Sequence, residues 1–288
     1  MQFNDPIGDI ITRRFSCRTY RPEPLEAEVR QRLTEAMAAL QAGPFGAATR
    51  FRLIAATEED RRSLKGLGTY GFIRGAAGFI LGAVGRGERN LEDFGYRMEE
   101  LILLATDLSL GTCWLGGTFA KSSFAAKMDL GADEVMPAVV SVGYIAERRS
   151  LMERVVRRSA RAGWRRPWGL LFFAGHFGLP LSQQAAGEYA EPLEMVRRGP
   201  SASNKQPWRI VRQDNAWHFY LQRTPGYLQG WERHFVVADL QRVDMGIAMC
   251  HFELTARELG LSGRWTLDDP GLETPNDLTE YTATWVAE

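Results

Sequence analysis

Cysteine, histidine and lysine are scarce in this sequence of 288 residues. The three cysteines, Cys17, Cys113 and Cys250, lie far apart and form no CxxC pair, which argues against a disulfide scaffold or a structural zinc site. The four histidines show no HExxH spacing, and no GxSxG segment marks a nucleophilic serine. We therefore expect core or surface roles for the histidines and no bound metal.

Net charge and long apolar segments are also lacking. The 35 basic residues balance the 35 acidic residues, so no overall field attracts nucleic acid or an anionic membrane, and an anion site must be local. The longest uncharged apolar run, at 75–85, is shorter than the ~20 residues that cross a bilayer, and it predicts a buried strand. Residues 1–11 lack the pattern of a signal peptide. The sequence thus predicts a cytoplasmic protein.

The hydrophobic pattern predicts a globular chain that mixes helices and strands, with 45% hydrophobic and 24% charged residues. Helices are predicted at 25–40, 58–64, 91–110, 192–198 and 239–260. Strands are predicted at 51–56, 75–85, 138–144, 208–212, 217–221 and 281–287. Residues 5–20 predict a short helix that runs into a basic turn, and Gly111 is expected to end the helix at 91–110.

The two ends of the chain repeat one another in the order of these elements. Each has a helix, a Gly-Pro turn, a strand, a long helix and a terminal glycine, and the Gly-Pro pairs lie at 43–44 and 199–200. This order predicts two pseudo-symmetric halves, at 1–150 and 169–288, joined by an arginine-rich connector at 151–168. The alternative, that any α+β chain contains such units, stays open.

Arginine is concentrated around that connector, where it takes eight of the nineteen positions at 148–166. Three interpretations are open for this run. It is a solvated helix face, or its first arginines bind a phosphate, or the segment binds nucleic acid. Zero net charge over the whole chain favours the first two.

A second basic segment, at 13–20, has the sequence RRFSCRTY. In it Arg14, Ser16 and Arg18 alternate, and alternate residues of an extended chain share one side. Two guanidinium groups and a hydroxyl on one side suit a phosphate. The alternative is a solvated basic turn.

A polar loop at 200–208 has the sequence PSASNKQPW. Its two prolines stiffen the loop, and its hydroxyl, carboxamide and ammonium groups suit the edge of a polar heterocycle. The alternative is a surface turn built from residues that favour turns.

A third segment, at 110–119, has the sequence LGTCWLGGTF. Paired glycines let a backbone approach a ligand closely and aim N–H groups at it, although a helix cap followed by a turn is the alternative. Cys113 is expected to be a small buried residue. Glu99 and Glu100 are expected to form a solvated or ion-paired helix face.

Together these three segments resemble the nitroreductase family of FMN enzymes, over about 7–150 and 180–288. The loop at 200–208 is the most specific part. The repeat makes the chain similar to a branch in which two family-like halves are fused, as in nitroreductases of thermophilic bacteria. The resemblance implies an α+β fold, with a mixed, mostly antiparallel sheet flanked by helices.

The resemblance also implies an FMN site at named positions. The ribityl-phosphate end would meet Arg14, Ser16 and Arg18, with Arg148 or Arg149 as a further phosphate contact. The other implied cofactor-binding residues are Leu115, Gly116, Gly117, Pro200, Ser201, Ala202, Asn204 and Gln206.

Each half departs from the family pattern in a complementary way. The first half has PFGAA at 44–48 where the second has the polar loop, and the second half has no arginine pair at 181–189. We therefore expect one FMN site per chain, shared by the halves, in a monomer that is a pseudo-dimer.

The reaction that the resemblance implies needs no side-chain nucleophile. NAD(P)H would reduce the flavin and leave, and an electron-poor acceptor, nitroaromatic or quinone-like, would then take its place in a ping-pong mechanism. The alternative is a flavin-binding carrier or sensor without turnover.

Overall fold

The computed structural model describes residues 1–55, 69, 71–117, 121–147, 150–159, 161–227 and 238–288. The predicted helix at 58–64 lies outside these residues. The helices are α1 (Ile7–Arg13), α2 (Ala27–Ala39), α3 (Asn90–Asp107), α4 (Lys121–Met128), α5 (Leu151–Ser159), α6 (Gln183–Ala186), α7 (Ala190–Arg198) and α8 (Leu240–Glu258). The strands are β1 (Thr49–Ala55), β2 (Gly78–Gly85), β3 (Leu110–Leu115), β4 (Glu134–Val135), β5 (Val139–Tyr144), β6 (Phe172–Ala174), β7 (Trp208–Gln213), β8 (Ala216–Gln222), β9 (Gly263–Thr266) and β10 (Thr279–Ala287).

The strands form two sheets of five. The first has the order β1-β2-β5-β3, with the short β4 paired to the end of β2, and all of its pairs are antiparallel. The second has the order β6-β7-β8-β10-β9, in which only the pairing of β6 with β7 is parallel among the described strands. The predicted α+β class with mostly antiparallel strands is therefore confirmed.

The two sheets share one strand order. If the strands of β1-β2-β5-β3 and of β7-β8-β10-β9 are each numbered along the chain, both paths run first, second, fourth, third. In each sheet one long helix connects the second strand to the third, α3 in the first and α8 in the second.

The long helices α3 and α8 pack against each other through two glycines. A Cβ on Gly95 would lie 2.2 Å from the Val243 carbonyl oxygen, and a Cβ on Gly246 would lie 2.0 Å from the Glu92 carbonyl oxygen. The contact is reciprocal, because each glycine touches the residue three positions before the other. Any side chain at either position would force the two backbones apart.

The two sheets also share residues between their cores. Val243 and Ile247 of α8 lie in the cluster built on the first sheet, and Tyr96 and Leu103 of α3 lie in the cluster built on the second. Apolar burial therefore holds the two sheets together through the helices that connect their strands.

The structure corrects two sequence predictions near these helices. Helix α3 ends at Asp107, and Ser109 rather than Gly111 takes the left-handed conformation, with φ 61°. Gly111 lies within β3, where a Cβ would meet Cys17 Sγ at 2.8 Å. The sequence signal at Gly111 is thus a packing requirement and not a helix end.

The predicted basic turn after α1 is also wrong, because this segment is extended. Arg14 has φ −60° and ψ 132°, and single bridges join Ser16 to Thr112 and Thr19 to Arg74. The pairing partners supply this conformation, and they are distant in sequence.

No helix among the described residues is long and apolar enough to cross a membrane.

The glycine contact gives a prediction for stability. We expect Gly246→Ala to lower the free energy of unfolding by about 3 kcal/mol, since overpacking a core contact usually costs about 1–3 kcal/mol. Urea denaturation followed by circular dichroism measures the change.

Gly163→Ala is the matched control, because a Cβ there would meet no atom of the described residues within 4 Å. Its unfolding free energy should equal or slightly exceed that of the unmodified chain. A Gly246→Ala chain as stable as this control would contradict the close contact.

Candidate functional site

A cleft of about 680 Å³ takes residues from distant parts of the chain, from Arg14 to Ile247. Ten of the predicted site residues line it: Arg14, Ser16, Arg18, Leu115, Gly116, Gly117, Pro200, Ser201, Ala202 and Asn204. Gln206 does not line it, and Arg148 and Arg149 lie outside the described residues. The volume falls within the ~300–1,000 Å³ of ordinary small-molecule pockets.

The basic segment reaches the cleft by pairing with the edge of the first sheet. The Cys17 amide donates to the Thr112 carbonyl at 2.8 Å, and this fixes the extended conformation. Cys17 is buried on the side away from the cleft, so Arg14, Ser16 and Arg18 share the opposite side. These three residues line the cleft together, as the alternation in the sequence predicts, and Phe15 between them lines it too.

The Arg14 side chain is a buried cation at the start of this basic segment. Its side chain is 6% exposed, and its Nε has no hydrogen-bond acceptor among the described residues. The nearest carboxylate oxygen, Glu99 Oε1, is 3.8 Å from that Nε. Burial lowers the pKa of Arg14, and nearby Glu99 opposes that shift only in part.

Glu99 belongs to a buried network that the sequence did not reveal. Its carboxylate accepts from Trp114 Nε1 at 2.8 Å and lies 3.0 Å from His251 Nε2. This joins β3, which borders the cleft, to α8 of the other half. Glu99 is thus hydrogen-bonded and buried, not solvated. Its histidine partner is 152 positions away, so no local pattern could have identified the pair.

The paired glycines follow β3 directly. A Cβ on Gly116 would lie 2.4 Å from Leu240 Cδ1, so the backbone here packs closely on α8. A Cβ on Gly117 would meet none of the described atoms within 4 Å, and its backbone lines the cleft. Cys113, earlier in β3, is buried as predicted, and burial raises the pKa of its thiol.

The polar loop at 200–207 has an unusual backbone. Ser203, Asn204 and Gln206 have φ of 52°, 54° and 50°, a left-handed conformation that is costly for such residues. The Ser201 hydroxyl accepts from the Gln206 amide at 2.9 Å and so closes the loop on itself. The strain indicates that neighbouring groups hold the loop in place.

The connector supplies most of these groups. Asn204 Nδ2 donates to the carbonyls of Arg161 at 2.9 Å and Trp164 at 3.1 Å, and the Arg166 amide donates to Gln206 Oε1 at 2.8 Å. Gln206 is fully buried. The carboxamides of Asn204 and Gln206 thus bind the loop to the connector, which sequence reasoning did not anticipate.

Arg165 is the cleft residue that the sequence analysis missed. It lines the cleft, and its guanidinium donates to the carbonyls of Arg198 and Trp164, both at 2.9 Å. Burial, with the charges of Arg14 and two further arginines, lowers its pKa to about 10. Among the described arginines of the run at 148–166, Arg165 is the one that lines the cleft.

One aspartate of α8, Asp244, also lines the cleft and was missed. Its carboxylate accepts from the Ala202 amide at 2.9 Å, which anchors the polar loop. Asp93 of α3 does the same for the first half, accepting from Phe45 at 2.9 Å and Ala47 at 2.8 Å. The sequence carries a signal for this pair, because each aspartate stands two positions before the contact glycine, as Asp-Phe-Gly and Asp-Met-Gly.

Comparison with known proteins gives a family model that matches most of the chain and a solved structure that aligns with nearly all of it. Residues 7–256 match a family model described as "Putative TM nitroreductase". The comparison with curated proteins finds no match. A solved structure described as a putative nitroreductase from Thermotoga maritima aligns at 18% identity with a TM-score of 0.59, covering 99% of this chain and 95% of that one. This likeness shows a shared fold.

Two further solved structures align with about half of this chain. One, described as a putative nitroreductase in complex with FMN from Desulfovibrio desulfuricans, is 26% identical, with 52% of this chain and 95% of that chain covered and a TM-score of 0.38. The other, a nitroreductase with bound FMN from Bacteroides fragilis, is 17% identical, with 51% and 92% covered and a TM-score of 0.39. Because the family model matches well over half of the 288 residues, this chain belongs to the "Putative TM nitroreductase" family.

Proposed function

We propose that this protein is an FMN-dependent oxidoreductase that uses NAD(P)H to reduce electron-poor acceptors, nitroaromatic or quinone-like, by a ping-pong mechanism. One observation carries the proposal. The basic segment at 14–18 and the polar loop at 200–204 are far apart in sequence, and both line a single cleft. Family membership and the FMN-bound proteins among the structural neighbours support the choice of cofactor.

The residues of the cleft fit a flavin mononucleotide at its anionic end. Arg14, Arg18, Arg165 and Lys205 line the cleft, against one carboxyl group, Asp244, among the described lining residues. Arg14 Nε is buried without an acceptor, and a phosphate oxygen would supply one. Burial, and then repulsion from neighbouring arginines, lowers the pKa of Arg165, and a dianion in this place would offset that repulsion.

The rest of the cleft fits a flat, partly apolar ring. Trp114, Leu240, Val243 and Ile247 give it apolar walls, and the open backbone at Gly117 can present an N–H group. Bound FMN would supply the redox chemistry, by taking a hydride from the reduced nicotinamide and passing electrons to the acceptor. The protein residues bind the phosphate, hold the ring between the halves and exclude water from it.

The halves are proposed to form one pseudo-dimer with a single site. The shared strand order and the reciprocal contact of Gly95 and Gly246 support this, since reciprocity is the mark of a two-fold interface. In the first half, Phe45 occupies the loop position of Ser201 and packs against the apolar core of the second half. An apolar side chain there fills space that the equivalent cleft would need. A monomer with one FMN per chain follows.

The phosphate end of the cleft gives the first of three predictions for the proposed function. Arg14→Ala should weaken FMN binding by about 10–100-fold, because a hydrogen bond to a charged group contributes about 1.5–3 kcal/mol. Quenching of flavin fluorescence on addition of apoprotein measures the affinity, and its end point should be one FMN per chain.

Arg13→Ala is the control for this variant. Arg13 is paired with Asp5 at 2.5 Å and is absent from the cleft lining, so its removal should leave FMN affinity unchanged. Equal effects of the two variants would count against the proposed phosphate site.

The second prediction concerns the loop. Asn204→Ala should weaken FMN binding about tenfold, because it removes two neutral hydrogen bonds, worth about 0.5–1.5 kcal/mol each, that hold the strained loop to the connector. Asn215→Ala removes a comparable bond, from Asn215 Nδ2 to the Ala287 carbonyl at 3.0 Å, between residues that do not line the cleft, and serves as control. Normal FMN affinity in both Arg14→Ala and Asn204→Ala would refute a site shared by the halves.

The third prediction separates the enzyme from a flavin carrier. Anaerobic mixing of the FMN-loaded protein with NADH or NADPH should bleach the visible flavin band, and a quinone or nitroaromatic acceptor should restore it. Stopped-flow absorbance follows both steps. Binding of FMN without bleaching by either nucleotide would favour the carrier instead.

A further inference from the structure

Asp244 is the one carboxyl group among the described residues that line the cleft, and the other charged lining residues are cationic. It lies on α8, is 3% exposed, and accepts hydrogen bonds at both carboxylate oxygens from one amide, Ala202 N, at 2.9 and 3.1 Å. Among the described residues no cation lies within ion-pair distance of it. One donor for two oxygens leaves part of its hydrogen-bonding capacity free on the cleft side.

The chain contains its own comparison for this residue. Asp93 stands at the matching position of α3 and is fully buried, yet its two oxygens accept from two different amides, those of Phe45 and Ala47. Asp93 does not line the cleft. Each oxygen of Asp93 therefore has its own amide donor from the loop that it holds. The two oxygens of Asp244 share a single amide donor.

The surroundings of Asp244 favour its protonated form. Burial raises the pKa of Asp244 well above its usual range, the carboxylates of Asp239 and Glu99 raise it further, and the Ala202 amide lowers it only in part. The cationic groups that share the cleft are Arg14, Arg18, Arg165 and Lys205, and none of them is paired with it in the structure. Tyr227 also shares the cleft, and burial raises the pKa of its phenol.

We propose that Asp244 is a further catalytic residue, the general acid that gives a proton to the electron acceptor. This inference rests on the function proposed above. Bound FMN, once reduced, would supply the acceptor with a hydride, which carries two electrons. The O–H bond of Asp244 breaks, its proton goes to the acceptor oxygen, and a carboxylate remains that regains a proton from water. A quinone leaves as a hydroquinone, with both hydrogens accounted for.

The proton can be observed without any turnover. In apoprotein at neutral pH, the infrared spectrum should contain the C=O band of a buried carboxylic acid, and Asp244→Asn should remove that band. The carboxamide of this variant keeps an oxygen to accept from the Ala202 amide, so the loop anchor is preserved. Asp93→Asn is the matched control, and it should leave the Asp244 band in place. Loss of the band in Asp93→Asn alone, or no such band at all, overturns the inference.

Stopped-flow kinetics of the loaded protein then tests the role of that proton. Asp244→Asn should slow reoxidation by a quinone about 100-fold, the lower end of the roughly 10²–10⁴-fold that positioned acids contribute, and should abolish the fall in rate at high pH. Reduction by the nicotinamide should change less than about threefold, and Asp93→Asn should change neither step. Unaltered reoxidation in Asp244→Asn overturns the inference while leaving the flavin enzyme intact. Failure of the unmodified protein to bind FMN would instead contradict the proposed function. The infrared test of the Asp244 proton does not depend on FMN binding.

Discussion

The architecture depends on one contact, the backbone approach of α3 and α8 at Gly95 and Gly246. Each long helix connects the second and third strands of its sheet, so the contact fixes how the two sheets stand relative to each other. The approach also lets Val243 and Ile247 enter the core of the first half. A larger residue at either glycine would separate the helices and open both cores.

The same contact sets the geometry of the cleft. Helix α8 begins beside Gly116 and brings Asp244 to the polar loop. Beneath it, Glu99 joins Trp114 to His251 and lies 3.8 Å from Arg14 Nε. Gly116 therefore packs on Leu240 of α8, and Glu99, which holds Trp114, is itself held by His251 of the same helix. A function that needs these residues requires the helix contact to be intact.

Sequence reasoning succeeded where the signal was local. The alternation of Arg14, Ser16 and Arg18 and the polar loop at 200–204 placed those residues on one cleft, and the periodic segments gave the long helices and most strands. It failed where a distant partner decides the outcome. The connector carbonyls that hold Asn204 and the pairing of Thr112 with the basic segment are set by folding, and no spacing in the sequence encodes them.

A crystal structure of the protein grown with FMN tests the central claim most directly, that one flavin is bound between the halves of a single chain. The account predicts one FMN per chain, with its phosphate at Arg14 and Arg18 and its ring against the loop at 200–204 and the backbone at Gly117. Flavin that contacts only one half, or a second FMN in the cleft's counterpart near Phe45, would contradict it.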